Sequence, residues 1–455
     1  MRVSKSFGAA LCLARVFSHD SSPSLDDSSP SLDNPSPNSD DSSPSLDLPL
    51  GVGRDLQALI DLQKNDTATD PDFIYRHEIH TLQHDIPYNP ESECIWDTPR
   101  KQRYCVFTHP EFDHGKGISI VTTPQRAKVL FETSLSSASK DHGFAQESSS
   151  YRTVARVEGK GRGMFANRRL PAGSIITQDA PILFIDHNWM QDKAPGEYYE
   201  ALLASAVEKL PETTRQTFED LHAQRPEGLN SWVTKMWTNT YELAGGPRDD
   251  WPGLNDEEDL GMLAIHANIS KINHSCRPNT ASQWDWASLS HKLYALRDIA
   301  ADEELTMAYF DTKQSSQDRH QYLTERLNFE CGCNLCKAEN KTIDLSDDRI
   351  SEILMLETYL ENRQIAPADS TEMAESLVSL YEQERLYTYM AKAYALAAIE
   401  WNGVGQEYKA RAWAYKSVQA GMIVGESAMV GGYADDMDDL LDGARAHWSW
   451  RHRVH

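Results

Sequence analysis

The 455-residue chain has no apolar run approaching the roughly 20 residues that a membrane-spanning helix requires, so a membrane partner is not expected. Positive charge is scarce. The 44 lysines and arginines face 69 acidic residues, for a formal net charge of −25. That imbalance argues against a broad phosphate-binding face, and so against direct nucleic-acid binding. An acidic groove for a basic peptide remains compatible with it. Cysteine is also sparse, at seven residues, and three of these fall within six positions. Such density suits a metal site better than a disulfide framework. A convincing targeting signal is missing too. Arg2 and Lys5 precede only the short apolar stretch from Phe7 to Ala14, which Arg15 ends. This is a poor signal or transit peptide, and the expected location is intracellular, in nucleus or cytoplasm.

The chain does have room for two or three domains, and its hydrophobic fraction of 40% is ordinary for a folded protein. Residues 20–47 repeat Asp-Ser-Ser-Pro-Ser-Leu-Asp from Asp20, Asp27 and Asp41. Proline in every repeat forbids a continuous helix, and residues 1–53 read as a disordered acidic leader. Residues 54–147 form a mixed region. Asp55 to Lys64 suggests a short helix, and His77, His80 and His84 share one helical face as surface histidines. Gly115 to Val121 reads as a turn entering a strand.

From Tyr151 to Asp186 the pattern is strand-rich, with an apolar β-prone stretch at Ala180 to Ile185. Residues 196–269 turn helical. Tyr198, Leu202, Ala206 and Leu210 recur every fourth residue, Pro211 opens a second helix, and Trp232, Met236, Tyr241 and Leu243 mark a third. Strands return at Ser282 to Trp286 and His291 to Arg297. After Cys336 the chain reads as helical to its end. One stripe comprises Tyr387, Met390, Tyr394, Ala397 and Trp401; another comprises Val404, Tyr408, Ala412, Tyr415 and Val418. Both stripes read as core, in tetratricopeptide-type pairs or a plain bundle.

The chemistry-bearing residues begin with Cys331, Cys333 and Cys336. Three thiolates at this spacing can share one tetrahedral zinc ion, and Cys276, 55 positions upstream, is the natural fourth ligand. Cys94 and Cys105 read as two separate reduced thiols; a bond between them would belong to an exported, disulfide-containing protein. The Gly159-Lys160-Gly161-Arg162-Gly163-Met164 loop allows unusual backbone dihedrals and close ligand approach. No helical pattern follows it, so it is not a dinucleotide fingerprint; Arg168 to Gly173 is a turn.

That loop is followed in order by Asn273-His274-Ser275-Cys276-Arg277-Pro278-Asn279, by Glu303 to Tyr309, and by Cys331-Gly332-Cys333-Asn334-Leu335-Cys336. The series resembles the SET domain of protein lysine methyltransferases, in the SMYD-like and fungal SET group, here without the cysteines of a MYND finger. The resemblance covers about 300 residues and is sharpest over 273–336. It implies an α+β fold: a β-rich SET domain with a pseudoknot, split by a helical insert, with a post-SET zinc site and a helical C-terminal region. It implies boundaries at 148–190 and 259–325 for the two SET halves, 191–258 for the insert, 326–340 for the zinc segment and 341–455 for the helical domain. It further implies that Gly161, Arg162, Gly163, Met164, Asn273, His274, Tyr309 and Phe329 contact S-adenosylmethionine. Tyr309 would stand at the methyl-transfer channel, and Cys276, Cys331, Cys333 and Cys336 would bind Zn2+.

The implied function is methyl transfer to a lysine of a protein substrate, such as a histone tail, with a further protein partner on the helical C-terminal region. The alternative is a non-catalytic, zinc-stapled SET scaffold. Three positions depart from the family pattern: Asp302 in place of glycine, Ala308 in place of a polar residue, and Leu327 in place of an aromatic wall of the lysine channel.

Overall fold

A computed structural model describes residues 94–97, 101–135, 150–157, 160–190, 196–223, 231–253, 259–362, 369–424 and 433–454. The acidic leader, the 55–64 helix, the three spaced histidines, Gly159 and the Tyr198 side chain lie outside the described residues.

The fold is α+β. Its largest sheet holds six strands in the order β1-β2-β3-β7-β9-β8. These are β1 Cys94–Asp97, β2 Gln102–His109, β3 Ile118–Thr122, β7 Pro181–Asp186, β8 Thr240–Leu243 and β9 Met262–His266. β3 and β7 run parallel, while the other pairs are antiparallel. All five residues of β3 and all six of β7 are buried, as expected for strands covered on both faces. Residues upstream of the Gly-rich loop therefore share a sheet with residues on both sides of the helical insert.

A four-stranded sheet in the order β10-β13-β5-β4 joins the segments of interest: β4 Tyr151–Val157, β5 Gly161–Ala166, β10 Asn273–His274 and β13 Glu304–Met307. A three-stranded sheet orders β11 Thr280–Asp285, β12 Ser290–Ala295 and β6 Ile175–Asp179. The two strands expected after Pro278 are thus present, each shifted one or two residues toward the N-terminus.

The insert contributes α1 Gly196–Glu208, α2 Glu212–Glu219, with Pro211 at its N-cap, and α3 Ser231–Asn239. The third helical segment ends sooner than its periodicity suggests. Tyr241 and Leu243 lie in β8, where pairing with Ala264 and Met262 replaces helical hydrogen bonds. Both residues are still buried, so the apolar pattern reports burial rather than helix.

A helix, α4 Ser316–Glu325, precedes the cysteine cluster. Five more follow: α5 Asn340–Glu361, α6 Ser370–Gln383, α7 Met390–Gly403, α8 Glu407–Val424 and α9 Tyr433–Gly443. The first C-terminal stripe is largely core: Met390 and Ala397 are buried, and Tyr387, Tyr394 and Trp401 pack against the same clusters. The second stripe is not. Tyr408 is 87% exposed and Tyr415 56%, while Ala410, Ala414 and Ser417 face the core. The close approach of α8 to α7 is made by small residues, and the tyrosines stand outside it. No helix among the described residues is long and apolar enough to cross a membrane.

Cys94 and Cys105 are directly opposed across β1 and β2 and form a disulfide. The expectation of two separate thiols is therefore corrected: antiparallel register places them as a facing pair, which sequence separation alone does not reveal.

Candidate active site and thiol cluster

The Gly-rich loop enters β5 through Gly161, whose φ of +75° favours glycine and whose missing side chain leaves open space. Gly163 is constrained differently. A Cβ there would stand 2.7 Å from Val157 Cγ2, 3.0 Å from Asn273 Nδ2 and 3.1 Å from Glu304 Oε1. Asn273 occupies that space. Its Nδ2 donates to the Arg162 carbonyl at 2.9 Å and to Glu304 Oε1 at 2.8 Å. Lys160 Nζ reaches the other Glu304 oxygen at 2.8 Å. Met164 is fully buried and pairs with Leu305, so its side chain belongs to the core.

β10 lies parallel to β13, with Asn273 opposite Thr306 and His274 opposite Met307. Beyond it, Ser275 N–H donates to the Met307 carbonyl at 2.9 Å. Asn279, only 2% exposed, then locks the two segments together. Its Nδ2 donates to the Glu304 carbonyl at 2.8 Å, and its Oδ1 accepts from Thr306 N–H at 2.8 Å. Residues 273–280 are therefore interlaced with residues 304–309 by backbone and side-chain bonds. The resemblance included Asn279 only as the end of the segment 273–279 that threads under the Tyr309 loop; its bonds to the Glu304 carbonyl and Thr306 N–H, in which the side chain mimics a backbone partner, were not anticipated.

Tyr309 leaves β13 over this segment. Its N–H donates to His274 Nδ1 at 3.2 Å, and its hydroxyl donates to the Ile272 carbonyl at 2.5 Å. The Tyr309 and His274 ring centroids are 5.3 Å apart, and Phe329 lies 6.4 Å from Tyr309 and 6.1 Å from His274. Burial brings the His274 pKa down to about 4, so the ring is neutral near pH 7 and can accept the Tyr309 N–H bond. The structure thus assembles Gly161, Arg162, Gly163, Asn273, His274, Tyr309 and Phe329 around one edge. Met164 turns its side chain into the core, which leaves its backbone, the part expected to contact the cofactor, on the same strand as Gly161 and Gly163.

The four cysteines also converge. Their sulfur atoms all lie within 4.8 Å of one another, and Cys276 Sγ is 4.0 Å from Cys331 Sγ and 3.6 Å from Cys336 Sγ. Four sulfurs bound tetrahedrally at a Zn–S distance of about 2.3 Å stand about 3.8 Å apart. The donor set and its spacing therefore fit a structural zinc ion. Leu327, Leu323 and Phe310 are buried beside the cluster. Leu327 thus packs as part of the apolar support for the thiols.

Asp302 adopts φ +64°, a conformation ordinarily taken by glycine. Its side chain bonds Arg152 at 2.7 Å. Ala308 is half-buried between Met307 and Tyr309.

The SET domain family model matches residues 161–310. Over 201 residues the chain is 25% identical to the fission yeast histone-lysine N-methyltransferase set5 of Schizosaccharomyces pombe, covering 44% of this chain and 55% of that one. It is 36% identical over 83 residues to human histone-lysine N-methyltransferase SMYD3, covering 18% of this chain and 19% of that protein. With chicken protein-lysine N-trimethyltransferase SMYD5 it shares 27% identity over 159 residues, covering 28% of this chain and 38% of that one. The chain thus spans about half the length of the first of these relatives and less of the other two. The interlaced strands, the Asn-His segment and the matched residues identify a SET domain in this chain, homologous to those of the SET5 and SMYD methyltransferases.

Proposed function

We propose that the protein is an S-adenosylmethionine-dependent protein-lysine methyltransferase acting on a histone tail or another protein. The observation that carries this reading is the meeting of Asn273, the Gly161–Gly163 backbone, His274 and Tyr309 at one sheet edge. The residues fit the cofactor. Gly161 leaves open space where a ligand can approach, and Asn273 lies half-buried against the adjoining backbone. In this reading Gly161, Arg162 and Gly163 offer backbone groups, Asn273 and His274 hold the amino-acid and adenine portions, and Phe329 supplies an aromatic wall. Bound S-adenosylmethionine supplies an electrophilic methyl group on a sulfonium.

The remaining work falls to the chain itself. A lysine amine near pKa 10.4 is mostly protonated at neutral pH and must become neutral to act as a nucleophile. Desolvation among Tyr309, Phe329 and the neutral His274, together with the positive sulfonium, would disfavour the ammonium form of the substrate lysine and lower its pKa. The Tyr309 hydroxyl, fixed by the Ile272 carbonyl, sits beside that carbonyl as an orienting pair for the amine. Rate enhancement then comes mainly from alignment rather than from a covalent intermediate. Zinc at Cys276, Cys331, Cys333 and Cys336 would hold the Phe329 segment onto the Asn273–His274 strand. The same reading treats 148–190 and 259–325 as the two halves of the SET fold, 191–258 as its insert, and the helical C-terminal region as a surface for a protein partner. It places the protein in nucleus or cytoplasm.

The test is incubation of the full chain with methyl-labelled S-adenosylmethionine and a mixture of core histones and nuclear extract proteins. Label on lysine with the native chain, and none with Asn273→Ala, is the expected result. Absence of labelled lysine from a zinc-loaded, folded protein that binds the cofactor would favour the scaffold reading.

A further inference from the structure

A cavity of about 500 Å³ separates the SET sheet from the first two C-terminal helices. Part of its wall, at Lys160, Ser275 and Glu304, belongs to the sheet edge described above. The opposite wall is made by α5 and α6, through Thr342, Arg349, Gln383, Glu384 and Arg385, with Arg277 reaching across to Glu384.

The charges around this cavity are unevenly matched. Lys160 pairs with Glu304 at 2.8 Å, and Arg297 pairs with Glu303, so the sheet side is neutral. On the helical side Arg277, Arg349 and Arg385 face Glu384 alone, and Arg277 and Arg349 already share that carboxylate. Two positive charges are therefore in excess on this wall, in a chain whose net charge is −25. Arg385 is exposed, and among the described residues its guanidinium has no hydrogen-bond or ion-pair partner. It ends α6 with φ +55°, a conformation that ordinarily favours glycine. Arg277 is short of a partner as well: its Nη1 and Nη2 are bonded, but its Nε is buried with none. Guanidinium groups gathered at one cavity repel one another, and a buried charged donor without an acceptor is unfavourable. An anion in the cavity relieves both.

We propose that the helical wall of this cavity binds the phosphate group of a small phosphorylated molecule, held by Arg277, Arg349 and Arg385. The guanidinium fork matches phosphate oxygens. The three arginines come from three elements: the segment after Cys276, α5 and the end of α6. A tetrahedral phosphate presents oxygens toward all three, whereas a carboxylate presents two oxygens in one plane. Thr342 and Gln383 add uncharged polar groups to the same wall. A bound phosphate would tie the Cys276–Arg277 segment to the helical region. This site is independent of the methyl-transfer reading, because none of its three arginines belongs to the Gly-rich loop or to the Asn273–His274 strand.

The experiment is 31P NMR titration of inorganic phosphate into the full native chain, Arg385→Gly, Arg277→Lys and, as a distant control, Lys409→Gln. Glycine suits the backbone at position 385, so Arg385→Gly removes the charge without endangering the fold. Arg277→Lys keeps a cation beside Glu384 and removes the unpaired Nε donor. Saturable binding by the native chain is expected, with a loss on the order of 10-fold in each arginine variant, as for a charge-assisted bond. Lys409→Gln should bind as the native chain does, and neither malonate nor saturating S-adenosylhomocysteine should displace the phosphate. Undiminished binding by Arg385→Gly would overturn the proposal even if Arg277→Lys does not fold. An equal loss in Lys409→Gln would reduce the effect to general charge attraction, and displacement by S-adenosylhomocysteine would assign the cavity to the cofactor; either result overturns it. So would displacement by malonate at equal concentration, or the absence of saturable binding by the native chain.

Discussion

Arg277 Nη2 meets Glu384 Oε2 at 2.6 Å, with the two side chains only 9% and 3% exposed. Glu384 also accepts from Ser346 Oγ at 2.7 Å and from Arg349 Nε at 2.5 Å. Burial alone would raise the Glu384 pKa, but Arg277, Ser346 and Arg349 outweigh it and hold the carboxyl below its ordinary range. Arg277 follows Cys276 directly, so adjacent residues anchor the Asn-His-Ser-Cys segment to the thiol cluster and to the helical region. Removing one partner of a buried pair strands the other charge. Glu384→Ala should destabilise the protein by about 3–5 kcal/mol in chemical denaturation. A loss below about 1 kcal/mol would mean that the network is solvated and that the helical region contributes little to this segment.

Tyr309→Phe keeps the ring against His274 and Phe329 and removes the bond to the Ile272 carbonyl. Turnover should fall on the order of 100-fold through lost alignment, with cofactor affinity retained. Parallel steady-state kinetics and calorimetry separate the two effects. Full activity in the variant would remove Tyr309 from the mechanism.

Metal analysis of protein purified without added zinc should give about one zinc per chain. Cys331→Ser should lose that metal and lower Tm, and a strong chelator should do the same to the native chain. A metal-free native chain with undiminished Tm would leave the four sulfurs as reduced thiols.

His266 and His291 form a buried pair, with His291 Nδ1 2.9 Å from His266 Nε2. Burial lowers both pKa values, that of His266 to about 3, and His266 further disfavours charge on His291. Their folded values lie below the unfolded value near 6.5. The folded state therefore favours the neutral rings, and this contribution is complete above pH 6.5 and declines as pH falls toward 3. Urea midpoints measured from pH 7 to pH 4 should fall, and His291→Phe should flatten that fall. An equally steep profile in the variant would place the acid sensitivity elsewhere.

Much of the site was legible because its residue types do local work. Glycine at φ +75°, closely spaced cysteines, and an Asn-His pair that forms a short strand each carry a local signature. What escaped depended on partners distant in sequence. The Arg277–Glu384 pair spans 107 residues, and Asn279 acts on Thr306. The exposed Tyr408 and Tyr415 misled for a related reason: spacing identifies a helix face, but the small residues of α8 decide which face packs. Tyr241 and Leu243 were apolar for a sheet rather than a helix. The Cys94–Cys105 bond needed cross-strand register.

The helical C-terminal region also touches the strand exit near Tyr309. Tyr389 hydroxyl donates to Asp311 Oδ1 at 2.5 Å and accepts from Thr312 N–H at 3.0 Å. These contacts begin two residues beyond Tyr309. Tyr389 is therefore joined to the chain just beyond Tyr309 by two hydrogen bonds. The helical region thus braces the strand exit that carries Tyr309, and a change in how the helices pack would be felt first at Asp311 and Thr312.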